Sequence, residues 1–161
     1  MIFPNFLATA AAVIAITSAA THWSEADTFG DFGYTDNGAS ITINEHINSD
    51  KSGPVVVPAT INGKPVTVIG YRAFWRSNKI TSVTLPAGLI SVESFAFRSC
   101  STLHTVTFGP GLVSVGDNAF WLCSSLTNVN LPEGLVSLGT SSFWGCRKLK
   151  SIHLPSTLTH A

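Results

Sequence analysis

Charged residues are scarce in this sequence. Asp, Glu, Lys and Arg make up 11% of the 161 residues, against roughly 25% in an ordinary soluble protein. The formal net charge is +0, but residues 21–60 hold six acids and one base, and residues 61–161 hold eight bases and three acids. The basic residues form no run, which argues against a nucleic-acid-binding protein. The basic part either attracts a polyanion or carries ordinary solvated charges, some of which face the acidic N-terminal part.

Sequence motifs for catalysis and for metal binding are also missing. There is no GxSxG nucleophile elbow and no phosphate-binding loop. The five histidines share no common spacing and no CxxC occurs, which argues against a zinc site. We therefore expect no catalytic residue, no metal and no cofactor, and we expect that the protein is not an enzyme.

Only one apolar run is long, FLATAAAVIAITSAA at residues 6–20, and no later segment is suited to span a bilayer. The run is shorter than the roughly 20 residues of a membrane-spanning helix, and it ends in the small residues Ser18, Ala19 and Ala20. This pattern predicts a secretory signal peptide at residues 1–20, although no Lys or Arg precedes the run; a membrane anchor is the alternative. We expect the mature protein to be secreted or held at the cell surface.

The chain does contain a repeat of 23 residues without a slip. A fixed period of this length is typical of a solenoid, in which each unit stacks on the next and buries an apolar column. Polar Asn128 and Asn130 alternate with apolar Val129 and Leu131, which predicts a short strand in each unit. A Pro/Gly corner, a second short strand and one helical or 3-10 turn should complete the coil. The repeat phenylalanines are Phe74, Phe97, Phe120 and Phe143.

The three cysteines share one repeat position, which Ser77 occupies in the first full unit; they are Cys100, Cys123 and Cys146. Their regular spacing resembles a disulfide or metal framework, and adjacent coils could bring two sulfurs together. Three cysteines cannot all pair, however, and a free cysteine behaves as a small buried apolar residue. We interpret the three as core residues.

The stretch AFWLCSSLTNVNLPEGLVSL, residues 119–138, resembles the leucine-rich repeat of BspA-like surface proteins. Residues 55–74 resemble the first unit of that family, and FGYTDNGASITI at residues 32–43 resembles the β-hairpin that often opens such domains. Asp36-Asn37-Gly38 is a turn signal in its own right. The expected organisation is a signal peptide at 1–20, an N-terminal segment with a hairpin cap at 21–54, and about four repeat units at 55–161. Because the sequence stops inside a unit, we expect the natural protein to continue.

The resemblance implies a leucine-rich repeat solenoid that acts as a non-catalytic protein-interaction or adhesion module. Its partner would be a protein or glycan ligand at a cell surface or in the extracellular matrix, and no nucleic acid is implied. Two alternatives remain: a structural spacer for a further C-terminal domain, and a carbohydrate-binding accessory domain.

Two surfaces are candidates for the ligand. Three tryptophans and one arginine directly follow the repeat phenylalanines: Trp75, Arg98, Trp121 and Trp144. They either form an interaction patch, since Trp and Arg dominate binding hot spots, or pack along the coil edge and cover the core. The second candidate is the outer face of the predicted strands, which either binds a ligand or is an ordinary solvated sheet face. Its residues are Ser82, Thr84, Thr105, Thr107, Asn128, Asn130, Ser151 and His153.

Overall fold

The structure is a computed structural model that describes residues 27–160, so the predicted signal peptide lies outside the described residues. These residues form short strands joined by turns. In chain order the strands are β1 (Asp27–Phe29), β2 (Phe32–Asp36), β3 (Ile41–His46), β4 (Gly53–Val56), β5 (Thr60–Ile61), β6 (Lys64–Ile69), β7 (Ile80–Thr84), β8 (Ser91–Val92), β9 (Thr105–Thr107), β10 (Ser114–Val115), β11 (Asn128–Asn130), β12 (Ser137–Leu138) and β13 (Ser151–His153).

The predicted hairpin is present as β2 and β3, and β1 extends it to three antiparallel strands. Its turn is closed by a hydrogen bond from the Asn37 amide to the Ser40 carbonyl. Gly38 adopts a φ of 88° there, a conformation that glycine reaches without strain. β3 then pairs in parallel with β6, so the hairpin caps the first coil of the repeats.

The repeats form a solenoid with two parallel sheets. One sheet runs β6-β8-β10-β12, and the other runs β4-β7-β9-β11-β13. From β6 and β7 onward, paired residues are one repeat apart, as in Val83 with Val106 and Val129 with Ile152. The 23-residue period therefore places each side chain above its equivalent in the previous coil, which confirms the solenoid prediction.

A ladder of stacked phenylalanines fills the centre of the solenoid. The ring centroids of Phe74, Phe97, Phe120 and Phe143 follow one another at 4.7, 5.0 and 5.2 Å, with interplanar angles of 18°, 4° and 1°. Stacked rings of this kind bury large apolar areas and add to the stability that burial alone gives. The spacing of the rungs is that of neighbouring strands in a sheet.

The predicted helical or 3-10 turn around each repeat phenylalanine is wrong. Each coil has two left-handed residues four positions apart instead, such as Asn118 and Leu122 with φ of 55° and 57°. Amide groups alternate between partners: Trp121 donates within its own turn to Asn118, whereas Phe120 donates to Ser142 of the next coil. A helix cannot form because half of these donors bond to the neighbouring coil. Residues 27–160 contain no helix, and hence none long and apolar enough to cross a membrane.

Candidate functional site

The turns at the phenylalanine end of each coil place the following residue at the surface. The phenylalanine side chain is buried in the ladder, and the backbone reverses immediately after it. Trp75 and Trp144 are 42% and 58% exposed, and Trp121 is half-buried. We call this side of the solenoid the turn edge, meaning the residues from three positions before to four positions after each repeat phenylalanine.

An aromatic–arginine strip runs along the turn edge; its members are Trp75, Arg76, Arg98, Trp121 and Trp144. The Arg98 guanidinium lies 4.3 Å from the Trp121 ring centroid, and the Trp121 and Trp144 rings stack at 5.2 Å with an angle of 13°. Arg76 lies 4.7 Å from the Trp75 ring. The indoles thus pack against their neighbours and still remain at the surface, so the two interpretations left open by the sequence are not exclusive.

The stacking decides which part of the strip is accessible. Arg98 belongs to the coil before Trp121 and Trp144 to the coil after it, so the two neighbours cover opposite faces of the Trp121 ring. Its edge is what remains open to a ligand. A sugar ring needs an open aromatic face, whereas a protein surface contacts ring edges and guanidinium groups as readily.

Arginine continues the strip at its N-terminal side. The Arg72 guanidinium lies 4.9 Å from the Tyr71 ring and 5.3 Å from the Trp75 ring. Tyr71 itself is 52% exposed and packs edge-on against Phe95 at 5.7 Å. Tyr71 and Arg72 were not predicted as site residues, because neither recurs in the later units.

Ionic pairing separates three of the five lysines from the four arginines, which bears on the charge asymmetry of the sequence. Three lysines pair with aspartates of the N-terminal part: Lys51 with Asp31, Lys64 with Asp36, and Lys79 with Asp50. Hydrogen bonds from these lysines hold the pKa of each aspartate below its usual value. Within residues 27–160, the four arginines form no salt bridge; they are Arg72, Arg76, Arg98 and Arg147.

The strand face is polar, as predicted, and lies in a different segment of each coil. Thr105, Thr107, Asn128 and Asn130 are exposed on β9 and β11, where they border a shallow depression. On β13, the Ser151 hydroxyl donates to the Asn128 side chain at 3.3 Å. His153 lies 3.3 Å from Glu133, and this contact, together with hydrogen bonds from Ser156, lowers the pKa of the Glu133 carboxyl.

Ser82 and Thr84 complete this face on β7. No charged side chain lies among the face residues of β7, β9 and β11. The strand face therefore offers hydroxyl and amide groups, but it lacks the aromatic and cationic groups of the turn edge.

The cysteines are core residues, as predicted. All three are buried and free, and each thiol donates to the phenylalanine carbonyl of the preceding coil, at 3.0, 3.1 and 3.2 Å. Burial raises the pKa of the Cys146 thiol to about 12. The neighbouring Cys100 thiol, followed by burial, also raises the pKa of Cys123. No group of three potential metal ligands occurs within residues 27–160.

Two further features were missed. His46 is buried and stacks on Phe74 at 5.1 Å, so it forms the first rung of the phenylalanine ladder. It lies 28 residues before Phe74, which breaks the 23-residue period, so its place in the ladder was not predicted. A second column is exposed and aliphatic, and its 23-residue spacing could have revealed it; it consists of Ile90, Val113 and Val136.

Comparison with known proteins supports the fold and the family. The family described as "BspA type Leucine rich repeat region" matches residues 64–161 in 6 copies. A leucine-rich repeat protein of T. pallidum is similar in structure, with a TM-score of 0.78 and 26% identity over 84% of this chain and 64% of its own. A leucine-rich repeat protein of Bacteroides capillosus has a TM-score of 0.72 and 25% identity, over 81% of this chain and 98% of its own. A leucine rich cell surface protein of Faecalibacterium prausnitzii has a TM-score of 0.65 and 26% identity, over 87% of this chain and 45% of its own.

The chain spans less than two thirds of the T. pallidum protein and less than half of the F. prausnitzii protein. No curated protein matches the sequence significantly.

Proposed function

The chain belongs to the BspA-type leucine-rich repeat family, and from this premise we propose that it is a non-catalytic binding module of an exported protein. The proposed ligand is a protein at a cell surface or in the extracellular matrix, and adhesion is the proposed outcome of binding. The observation that carries the proposal is the aromatic–arginine strip. Its exposed Trp and Arg side chains are the residue types that contribute most to binding at protein interfaces.

Two considerations support export. Residues 1–20 have the composition of a secretory signal peptide. A protein that is similar in structure, from Faecalibacterium prausnitzii, is described as a leucine rich cell surface protein. We therefore place the proposed binding event outside the cell.

The nature of the buried residues agrees with a non-catalytic role. The solenoid interior is occupied by apolar columns, and the buried cysteine thiols have raised pKa values, which makes them poor nucleophiles. The side chains that differ between coils lie mainly on the outside. A repeat scaffold of this kind presents an extended surface to a partner.

A protein ligand is favoured over a glycan by the geometry of the strip. Both faces of the Trp121 ring are covered, and Arg76 and Arg72 lie near the Trp75 ring. Stacking on a sugar ring is thereby restricted at Trp75 and Trp121, although Trp144 is 58% exposed, and this restriction weighs against the carbohydrate-binding alternative. The spacer alternative predicts no ligand for any surface of the solenoid.

The test is binding of the full chain to arrays of matrix proteins and glycans. It compares the wild type with the triple variant W75S/W121S/W144S and with the strand-face variant T107A/N130A. Circular dichroism and thermal unfolding establish that each variant keeps the fold. We expect a protein ligand whose binding is lost in the triple variant and kept in the strand-face variant.

The other outcomes assign the function differently. Loss of binding only in the strand-face variant would move the site to β9 and β11. Binding to glycans alone would favour the carbohydrate-binding domain, and absence of any ligand would favour the spacer.

A further inference from the structure

A groove of about 410 Å³ runs beside the aromatic–arginine strip on the turn edge. We call it the arginine groove. One wall is the column of residues that lie two positions after the repeat phenylalanine of each coil. The other wall is the column of residues that lie four positions after it. The first wall comprises Arg76, Ser99 and Leu122, and the second comprises Asn78, Ser101, Ser124 and Arg147.

The backbone of the turns creates this groove. Arg76, Ser99 and Leu122 have φ of 59°, 63° and 57°, which turns the chain sharply between the two columns. Small serines occupy the middle of both walls, whereas the arginines stand at opposite ends. The groove is therefore open along its length, hydroxyl-lined at its centre and cationic at both ends.

The positive charge of the groove is not balanced by the protein. Neither Arg76 nor Arg147 forms a salt bridge within the described part of the chain. The carboxylates of the repeats are engaged elsewhere: Glu93 accepts the Tyr71 amide, Asp117 accepts the Thr140 amide, and Glu133 accepts the Ser156 amide. None of these three acids lines the groove.

We infer that the arginine groove binds the carboxylates of an extended acidic segment of the partner protein. This inference rests on the proposed function, because it names the chemistry of the partner at the same edge. Arginine is suited to the role, since its planar guanidinium can hold a carboxylate through two parallel hydrogen bonds.

The distance between the two arginines along the solenoid determines how far apart the acidic residues of the bound segment should be. Arg76 and Arg147 flank rungs that are three steps apart on the phenylalanine ladder, whose steps measure 4.7, 5.0 and 5.2 Å. An extended chain advances about 3.3 Å per residue. Acidic residues about four or five positions apart would therefore reach both guanidinium groups. The Ser101 and Ser124 hydroxyls between them donate to the Asn78 side chain and the Ser101 carbonyl, so their oxygens would accept hydrogen bonds from the peptide amides.

The test uses a fluorescent peptide of about twelve residues that alternates Glu and Ser, long enough to span the groove. Anisotropy gives its affinity for the full-length wild type, for R76Q/R147Q, and for the control K148Q/K150Q. The two variants lose the same charge, but Lys148 and Lys150 do not line the groove. A Gln-Ser peptide and a heparin oligosaccharide serve as the neutral and the sulfated competitors.

We expect the Glu-Ser peptide to bind, the R76Q/R147Q variant to bind it about tenfold or more weakly, and the control to stay within about twofold. Equal weakening in both variants would overturn the inference, since it would show attraction by net charge alone. Absence of peptide binding, or tighter binding of heparin, would overturn it as well.

The same variants separate this inference from the proposed function. If a protein ligand from the arrays binds wild type and R76Q/R147Q equally, the proposed function stands and the groove inference fails. If the ligand loses affinity in R76Q/R147Q but not in K148Q/K150Q, both are supported. If the peptide binds the groove while no protein on the arrays binds, the groove recognises carboxylates and the proposed partner class is at fault.

Discussion

The N-terminal cap, residues 27–52, differs from the coils that follow it in the pairing of its charged side chains and in the absence of the 23-residue repeat. The cap uses antiparallel strands, ends the phenylalanine ladder with a histidine, and uses its aspartates to hold lysines. The coils repeat the same apolar columns and leave their arginines without ionic partners among residues 27–160. The cap therefore pairs its aspartates with lysines of the same chain, whereas the outside of the coils remains available to a partner.

The lysine–aspartate pairs of the cap are exposed, and pairs of this kind contribute little to stability. Their consequence is electrostatic, because they neutralise the lysines closest to the acidic N-terminal part. The arginines of the turn edge keep their charge without an ionic partner among residues 27–160.

Phe97→Ala should have the largest effect, because it removes a rung that packs between two others at 4.7 and 5.0 Å. We expect a loss of about 3–5 kcal/mol in the free energy of unfolding, measured by urea denaturation. The matched control is Phe29→Ala in β1, whose side chain is 44% exposed, and it should cost less than about 1 kcal/mol. Equal losses would show that the cap and the coils do not differ in packing.

Gly116→Ala should follow, because a Cβ atom there would lie 2.6 Å from the Ser94 backbone nitrogen of the preceding coil. The coils would have to separate, at an expected cost of about 1–3 kcal/mol. Gly88→Ala is the control, since nothing lies within 4 Å of its added Cβ. Thermal unfolding of the two variants measures the difference, and a similar midpoint for both would contradict close contact between coils.

His46 should make the cap sensitive to pH. Burial lowers its pKa below the usual value near 6.5, while Asp31 raises it and Lys51 lowers it further. The unfolded chain then binds more protons below about pH 6.5, so stability is complete above that pH and falls on acidification toward the folded-state pKa. We expect the free energy of unfolding to decrease between pH 7 and pH 5.

The double variant H46F/S77C gives the control for this prediction. In the wild type the His46 Nδ1 lies 3.3 Å from the Ser77 hydroxyl, and its buried Nε2 has no hydrogen-bond partner among residues 27–160. The variant places a phenylalanine in the first rung of the ladder and a cysteine at the repeat position where the later coils have one. It should keep its stability over the same pH range, and an unchanged pH dependence would show that another group titrates.

Ser141→Gly should have the smallest effect and the opposite sign. Ser141 has a φ of 56°, a conformation that strains every residue with a Cβ. Glycine should stabilise the fold by about 0.5–1 kcal/mol in chemical denaturation. At Thr140, whose φ is not positive, glycine should destabilise by a similar amount. Destabilisation at both positions would argue against left-handed strain in the turns.

Much of the fold follows from the sequence because one period governs the interior. Phe120 lies above Phe97 and Cys123 above Cys100, which the spacing alone predicts. The turns were predicted wrongly because residues such as Phe95 and Leu122 rarely adopt a left-handed conformation; they do so here because the neighbouring coil accepts alternate amides. Their conformation is a property of the stack, and no single unit encodes it.

The candidate site was predictable only in part. The register placed Trp121 between Arg98 and Trp144, but it could not show that their stacking closes both faces of the indole. The arginine groove was not foreseen, since it depends on Arg76 and Arg147 lying in different columns of different coils. Ser101 and Ser124 share one repeat position, but Asn78 and Arg147 occupy it in the other coils, so the periodic signal of this column is weak.

The most direct test of the account is an NMR titration of the full chain with the Glu-Ser peptide. Indole resonances of Trp75, Trp121 and Trp144 and guanidinium resonances of Arg76 and Arg147 report on the turn edge. Amide resonances of the strand face, Thr105, Thr107, Asn128 and Asn130, serve as the internal control. We expect shifts on the turn edge and none on the strand face. Shifts confined to the strand face, or absent from both surfaces, would contradict it.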